Sequence, residues 1–464
     1  MSTIGSRLVC SGCGASPGPW EPYPFRCPEA RPGDDVDHVL RRRLDLARVS
    51  FPLDDPEPNP FLRYRGLLHA ARLALAGGIA DDRLRALVRR LDDAVAAVDG
   101  HGFRTTPFRR SEELGRACGF SGAGGVWVKD ETGNVSGSHK ARHLFGVLLQ
   151  LAVAEELGLV ERAPRPELAI ASCGNAALAA AILAAASGRT LRVFVPPHAE
   201  PAVLARLREL GALVEECPRD GRPGDPAYHR LLEALAAGAL PFTCQGNLNG
   251  LAVEGGQTLG WELAAAGVPL DRLVVQVGGG ALASACAHAF DEAVALGALA
   301  SAPRLDTVQT EGARPLRRAF EALERVDADD PVAFAARHRS RFMWPWETEP
   351  RGVAHGILDD ETYDWLAVVE AMRATGGRPL VVDDESLMAA NALAREATGI
   401  DVDPTGSAGL AGLLALRAAG DLDPEERVAV LFTGVVRTAP TERRRHDEEL
   451  PRTRHPVASG LRAR

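Results

Sequence analysis

The stretch that most narrows the fold lies at residues 272–296. RLVVQV (272–277) is short, apolar and β-branched; it breaks at Gly278-Gly279-Gly280 and resumes as the helical pattern ALASACAHAFDEAVAL. The order of apolar strand, small-residue turn and helix recurs from residue 140 onward. ELAIAS (167–172) ends in Ser172-Cys173-Gly174-Asn175 before AALAAAILAAA, LRVFVP (191–196) precedes AVLARLREL, and ALVEEC (212–217) precedes YHRLLEALAAG. A short strand at PFTCQG, a helix at EGGQTLGWELAAAG (254–267) and a strand at LDTVQTEG (305–312) follow. PLVVDD (379–384) leads into ESLMAANALAREAT, PTGSAGLAGLLALRAA is a turn and helix, and VAVLFTGVV (428–436) is the last strand. Parallel strands need helical crossovers and are buried on both faces, so this alternation implies an α/β fold with mostly parallel sheets. The number of units implies two three-layer αβα domains.

A chain of 464 residues exceeds the size of one growing core. A net charge of −9 and a pI near 5.8, with no basic stripe except a short arginine cluster near the end, exclude nucleic acid as the main partner. No apolar stretch has the length of a membrane span, and the first 30 residues lack a signal peptide's apolar core. Eight scattered cysteines do not form a disulfide scaffold, so a cytoplasmic protein with reduced thiols is expected.

The first 45 residues read as an N-terminal arm. Cys10-Ser-Gly-Cys13-Gly has the form of a metal knuckle, with Cys27 as a third ligand and His38 as a candidate fourth, but the second cysteine pair of a zinc ribbon is broken. The expectation is a structural zinc site on Cys10, Cys13 and Cys27, or a degenerate ribbon. Three helical stretches follow: HVLRRRLDLARV, FLRYRGLLHAARLAL and DDRLRALVRRLDDAVAAV. The segment from Thr438, rich in Arg, Glu and Pro, reads as a flexible tail in which Arg443–Arg445 are solvated charge.

Chemistry concentrates at four junctions. Val126–Val128 leads through a polar turn to Lys140 at the start of a helical pattern, where the positive end of the helix dipole disfavours an ammonium; a neutral lysine amine can form a Schiff base with a carbonyl. Gly278–Leu282 leaves backbone N–H groups to close on a phosphate; neither GxGxxG nor GxxxxGK[ST] occurs, so a dinucleotide or P-loop nucleotide is disfavoured. Ser172-Cys173-Gly174-Asn175-Ala176 suits a carboxylate, and Thr433-Gly434 closes the last strand at the carboxyl edge where such sheets bind ligands.

Lysine, Asn loop, Gly loop and threonine in this order resemble the pyridoxal-phosphate enzymes of the tryptophan-synthase-β fold type, which include threonine synthase, the serine and threonine dehydratases and cysteine synthase. The resemblance covers about residues 100–437. It implies a fold type II enzyme with pyridoxal 5'-phosphate in the cleft between its domains. It further implies Lys140 as Schiff-base lysine and later general base, Asn175 on the phenolic oxygen, Gly278, Gly279, Gly280, Ala281 and Leu282 around the phosphate, and Thr433 at the ring nitrogen. Ser172, Cys173, Gly174 and Ala176, with Ser138, would bind the substrate, Cys173 by packing. A neutral threonine at the ring nitrogen favours expulsion of a β-substituent over transamination or racemisation. The implied domains are 46–135 (helices and the start of the large domain), 136–245 (smaller, with the lysine and Asn loop) and 246–437 (larger, with the Gly loop), in a homodimer.

NPFLRYRGLL, TTPF (105–108) and EGGQT resemble threonine-synthase-like members, whereas GGGAL is nearer the dehydratases. Threonine synthase resembles SFKDR at the lysine; here SHKAR places His139 and Ala141 beside it, and Arg142 matches the arginine expected to help bind a substrate phosphate. The expected function is a lyase acting on a hydroxy or O-activated amino acid, serine/threonine ammonia-lyase-like. The alternatives are a threonine synthase releasing phosphate from O-phosphohomoserine, a β-replacement synthase, or a cofactor-binding protein with little turnover.

Overall fold

The computed structural model describes residues 4–222 and 224–437; the expected tail, 438–464, lies outside them. Among the described residues, twelve strands form three sheets. β1 (Ser6–Cys10) and β2 (Leu40–Leu44) make an antiparallel two-stranded ribbon at the N-terminus. β3 (Phe108–Ser111), β4 (Gly125–Asp130), β9 (Arg272–Gln276), β10 (Arg304–Thr310), β11 (Pro379–Val382) and β12 (Arg427–Phe432) form a six-stranded sheet in the order β11-β10-β9-β12-β4-β3, parallel except at β3. β5 (Leu168–Ala171), β6 (Leu191–Val195), β7 (Leu213–Glu216) and β8 (Leu240–Pro241) form a parallel four-stranded sheet, β7-β6-β5-β8.

Burial explains the parallel arrangement. Every residue of β9 and all but the first of β12 are buried, as central strands covered on both faces require. Helix Gly250–Ala265 is buried over all but its last residue and packs against both the lysine helix (Lys140–Glu156) and helix Ala281–Ala295, tying the two larger sheets together. Its start is capped by Asn249, whose side chain accepts the Leu251 N–H at 3.2 Å.

Three expectations change. Residues 39–50 are not helical: they form β2 and one 3₁₀ turn, Leu46–Arg48. In β2, Leu40 and Arg42 turn inward, and the Arg42 guanidinium meets Glu254 and Glu292 at 2.8 Å each, so buried ion pairing imposed a period of two on an arginine-rich run. FLRYRGLLHAARLAL is not one helix but Pro60–Arg63, a 3₁₀ turn at Arg65–Leu67 and His69–Ala76. PFTCQG contributes only its first residue, Pro241, to a strand, and β3 was not anticipated. Among the described residues, no helix is long and apolar enough to cross a membrane.

Candidate active site

Lys140 opens its helix half-buried, with His139 as the preceding cap. The turn before it is held from two sides. Ser136 sits at φ +63°, a left-handed conformation costing about 1–3 kcal/mol for a non-glycine residue. Its N–H donates to Asp99 at 2.9 Å, and its carbonyl accepts from Arg437 Nη2 at 2.6 Å. Ser138 then bridges to Gly434, and the His139 N–H donates to the Thr433 carbonyl at 3.2 Å. Lys140 is thereby fixed beside the carboxyl end of β12.

Thr433 is buried, and Gln276 Nε2 donates to its Oγ1 at 2.7 Å. The same amide nitrogen reaches the Gly406 and Leu431 carbonyls at 2.8 and 3.2 Å, which fixes its orientation. Because Thr433 Oγ1 accepts from Gln276, its own proton remains to be donated, the polarity an unprotonated ring nitrogen requires.

The Gly loop follows β9. Gly280 has φ +94°, which only glycine adopts without strain. A Cβ on Gly279 would stand 3.0 Å from the Tyr363 ring, and one on Gly278 would strike Asp359. The first backbone bond of the following helix runs from Ser284 N–H to Gly280 O at 3.0 Å, so the N–H groups of Ala281, Leu282 and Ala283 face out of the helix end. From behind, Thr362 Oγ1 donates to Gly278 O and the Asp364 N–H to Gly279 O, each at 2.9 Å.

At the end of β5, Ser172, Cys173, Gly174, Asn175 and Ala176 are all half-buried, and a Cβ on Gly174 would meet nothing within 4 Å. This loop therefore borders open space. The Asn175 carbonyl oxygen accepts from Arg437 at 2.8 Å, and its amide bonds Asp403, bringing the loop against Gly434. Cys173 packs on the core cluster, its thiol pushed up by burial. Lysine, Asn loop, Gly loop and Thr433 thus meet at the carboxyl ends of β5, β9 and β12.

Two expected substrate ligands are buried. Ser138 is fully buried, its hydroxyl on Ser136 Oγ at 3.2 Å. Arg142, expected to help bind a substrate phosphate, is also fully buried. Its guanidinium pairs with Glu131 at 2.8 and 3.0 Å and Glu262 at 2.7 and 3.1 Å, and reaches the hydroxyls of Thr106 and Thr258 at 3.1 and 3.2 Å. Lys129 Nζ joins Glu262 at 2.5 Å, giving two buried cations and two buried anions. Burial pushes the Glu262 carboxyl up, but Arg142 and Lys129 together hold it below the usual range. The cluster anchors the first turn of the lysine helix to β4 and to helix Gly250–Ala265.

Sequence reasoning noted His139 beside the lysine but missed the other groups around Lys140. His139 and His143 are buried and neutral: burial first, then the Lys140 charge, lowers both, His143 to about 3. The stretch DDETYDW (359–365) supplies Asp359 and Asp364, raised by burial to about 6 and about 7 although Lys140 pulls both down. Asp359 also accepts the Gly279 N–H. Asp225 and Asp360 add to this carboxylate wall, and Asp360 is likewise raised by burial to about 6. The density of acids in 359–364 and the glutamine inside the apolar strand RLVVQV were the available signals.

This fold and this set of donors define an α/β enzyme built around a lysine and an anion cradle. The chain belongs to the pyridoxal-phosphate dependent enzyme family, whose profile matches residues 101–434. It is a pyridoxal-phosphate-dependent lyase in type. Among similar proteins, threonine synthase of Methanocaldococcus jannaschii is 27% identical over 333 residues, covering 71% of this chain and 74% of that protein. Cysteate synthase of Methanosphaerula palustris is 28% identical over 441 residues, 92% of this chain and 89% of that one. In fold, maize serine racemase superposes with a TM-score of 0.57 at 18% identity, over 79% of this chain and 97% of that one. Threonine deaminase isoform 2 of Solanum lycopersicum gives 0.55 at 16% identity, over 80% and 94%.

The residues present fit pyridoxal phosphate: N–H groups facing out of a helix end, a half-buried lysine and a threonine hydroxyl with its proton left to donate. Asp359, on the Gly279 N–H, is the anion a phosphate would have to displace or meet protonated.

Proposed function

We propose that this chain is an ammonia-releasing lyase acting on a hydroxy amino acid of the serine or threonine kind. The observation that carries this reading is the commitment of Arg142: the cation that would grip a substrate phosphate has every guanidinium nitrogen bonded inside a closed, charge-balanced cluster. The Asp225, Asp359 and Asp360 wall, close enough to raise one another, adds repulsion against an anionic leaving group.

In this reading Lys140 carries the cofactor, the N–H groups of Gly278–Leu282 hold its phosphate, Asn175 meets its phenolic oxygen and Thr433 donates to its ring nitrogen. When bound, the cofactor supplies the electron sink that lets the Cα–H bond break. The released Lys140 amine takes the Cα proton, and the neutral imidazoles of His139 and His143 add no competing charge beside it. The half-buried loop Ser172–Ala176 would orient the substrate carboxylate through the N–H groups of Cys173, Asn175 and Ala176, since that of Ser172 is donated to the Phe194 carbonyl.

A second reading, threonine synthase, is supported by the several curated relatives of that name at 26–27% identity. Incubation with serine, threonine, O-phosphohomoserine and diaminopropionate, assaying ammonia, phosphate and keto acid, separates the two. Ammonia and keto acid from serine or threonine is the expected result, and phosphate without ammonia overturns it. Lys140→Ala abolishes both the cofactor's colour and turnover if the site is correctly assigned. The family resemblance supports a cytoplasmic homodimer; sedimentation of a monomer at micromolar concentration would count against the oligomer.

A further inference from the structure

The N-terminal knuckle plays no part in the site described above, yet its ligands converge. Cys10 ends β1, Cys13 follows a tight turn, and Cys27 and His38 arrive from a stretch, residues 11–39, that contains neither helix nor strand. One ligand atom from each of Cys10, Cys13, Cys27 and His38 lies within 4.8 Å of the other three. Cys13 Sγ and Cys27 Sγ are 3.5 Å apart, and Cys10 Sγ and His38 Nδ1 3.4 Å. The edge of a tetrahedron around zinc with these donors is about 3.5–3.8 Å, so the atoms stand at coordination spacing, and none of the cysteines is in a disulfide.

Two further features point to a metal. The other ring nitrogen of His38, Nε2, meets Asp34 Oδ2 at 3.1 Å, the carboxylate partner that fixes a ligating histidine's tautomer. The knuckle is also packed to permit convergence: a Cβ on Gly12 would meet the Asp37 carbonyl oxygen at 2.5 Å, and the Ser11 N–H and hydroxyl both reach the Val39 carbonyl at 2.9 Å. A segment this long with neither helix nor strand gains a fixed loop path from such a clip.

We propose that Cys10, Cys13, Cys27 and His38 bind one zinc ion in a closed structural site that clips the N-terminal arm to the back of the Gly loop. Three thiols give up their protons to solvent as three Zn–S bonds form, and His38 binds through Nδ1 as neutral imidazole. Three thiolates and one imidazole select a soft, tetrahedral ion and leave no open position for chemistry. The clip continues through Asp37, buried next to His38, whose carboxylate accepts from Trp365 Nε1 at 3.1 Å and pairs with Arg339 at 3.3 Å. Trp365 directly follows Asp364, which with Thr362 supports Gly278 and Gly279. This second half of the proposal rests on the cofactor reading above; the metal does not.

Metal analysis of the purified full-length protein tests the first half. The expected result is about one zinc per chain, lost in Cys13→Ser, whose side chain is exposed and whose replacement spares the core. Asp34→Asn should weaken zinc roughly ten- to a hundredfold in a chelator competition. Cobalt added to the zinc-free protein should give the intense thiolate charge-transfer and tetrahedral ligand-field bands. Zinc no higher in the wild type than in Cys13→Ser, or thiol titration showing Cys13 and Cys27 joined as a disulfide, overturns the site. For the clip, zinc removal should weaken pyridoxal-phosphate binding several-fold while turnover at saturating cofactor is kept; unchanged cofactor affinity in a zinc-free protein refutes the coupling and leaves the metal site standing.

Discussion

Arg142 shows how a residue two positions from the reactive lysine can act without touching substrate. Removing one member of a buried, paired cluster leaves its partners uncompensated, at a cost of about 3–5 kcal/mol. Arg142→Met should therefore lower the unfolding free energy read from urea denaturation by that much, and Arg142→Lys should recover little, because Glu131 and Glu262 are both gripped by the planar fork. A variant of unchanged stability with a raised KM would return Arg142 to the substrate. Gln276 acts through Thr433 in a similar way. Gln276→Leu removes the donor that directs the threonine proton, and the loss of a buried hydrogen bond, about 1–3 kcal/mol, should appear as weaker cofactor binding in a pyridoxal-phosphate titration. Neither role was legible in the sequence. Arg142 lies 120 residues from Glu262, and local patterning carries no information about which buried charge meets which. Lys140, Asn175 and Thr433 were legible because each ends or begins an element whose periodicity marks the junction.

At the scale of the element, the Gly loop and the acidic stretch 359–364 are one device, a cradle with carboxyls behind it. Asp364 is raised to about 7 because burial penalises its anion. A group raised in the folded state stabilises the fold below its unfolded value, near 3.8, and that contribution is lost as pH climbs through about 7. Asp364→Asn should accordingly match the wild type near pH 4 and exceed it in thermal stability at pH 8; equal melting at both ends would refute the buried anion. Asp359, raised to about 6, stands at the phosphate cradle itself. Above pH 6 its carboxylate opposes a phosphate, so Asp359→Asn should gain cofactor affinity over the wild type as pH rises from 5 to 8, measured as the ratio of their Kd values. The strands and glycine turns of this device could be read ahead of the structure, since apolar runs and glycines act locally. The three arginines of β2 could not: a helical composition yielded to the ion pairs of Arg42 with Glu254 and Glu292, which the fold alone brings near.

Across the whole molecule, two sheets meet where Asn175, Gly434, Asp403 and Arg437 come together, and the lysine turn is held by the same arginine. The smaller sheet is contiguous in sequence, 168–241, while the larger is assembled from both sides of it, 108–130 and 272–432. The larger sheet therefore begins before the smaller one in the chain and resumes after it. That order sets a schedule. β12, the last strand among the described residues, is not an edge strand: it lies between β9 and β4, with Val428 paired to Arg272 on one side and to Val126 on the other. During synthesis the ribosome therefore releases a chain whose four-stranded unit can close early, while β4 and β9 keep an open seam until the final strand emerges. Every contact that seats Lys140 against Thr433 and Gly434 waits for that insertion. A nascent chain stalled before residue 427 should fold its smaller unit, protected from protease, yet bind no pyridoxal phosphate. The apolar flanks of the seam make that interval the time when this protein most needs a chaperone.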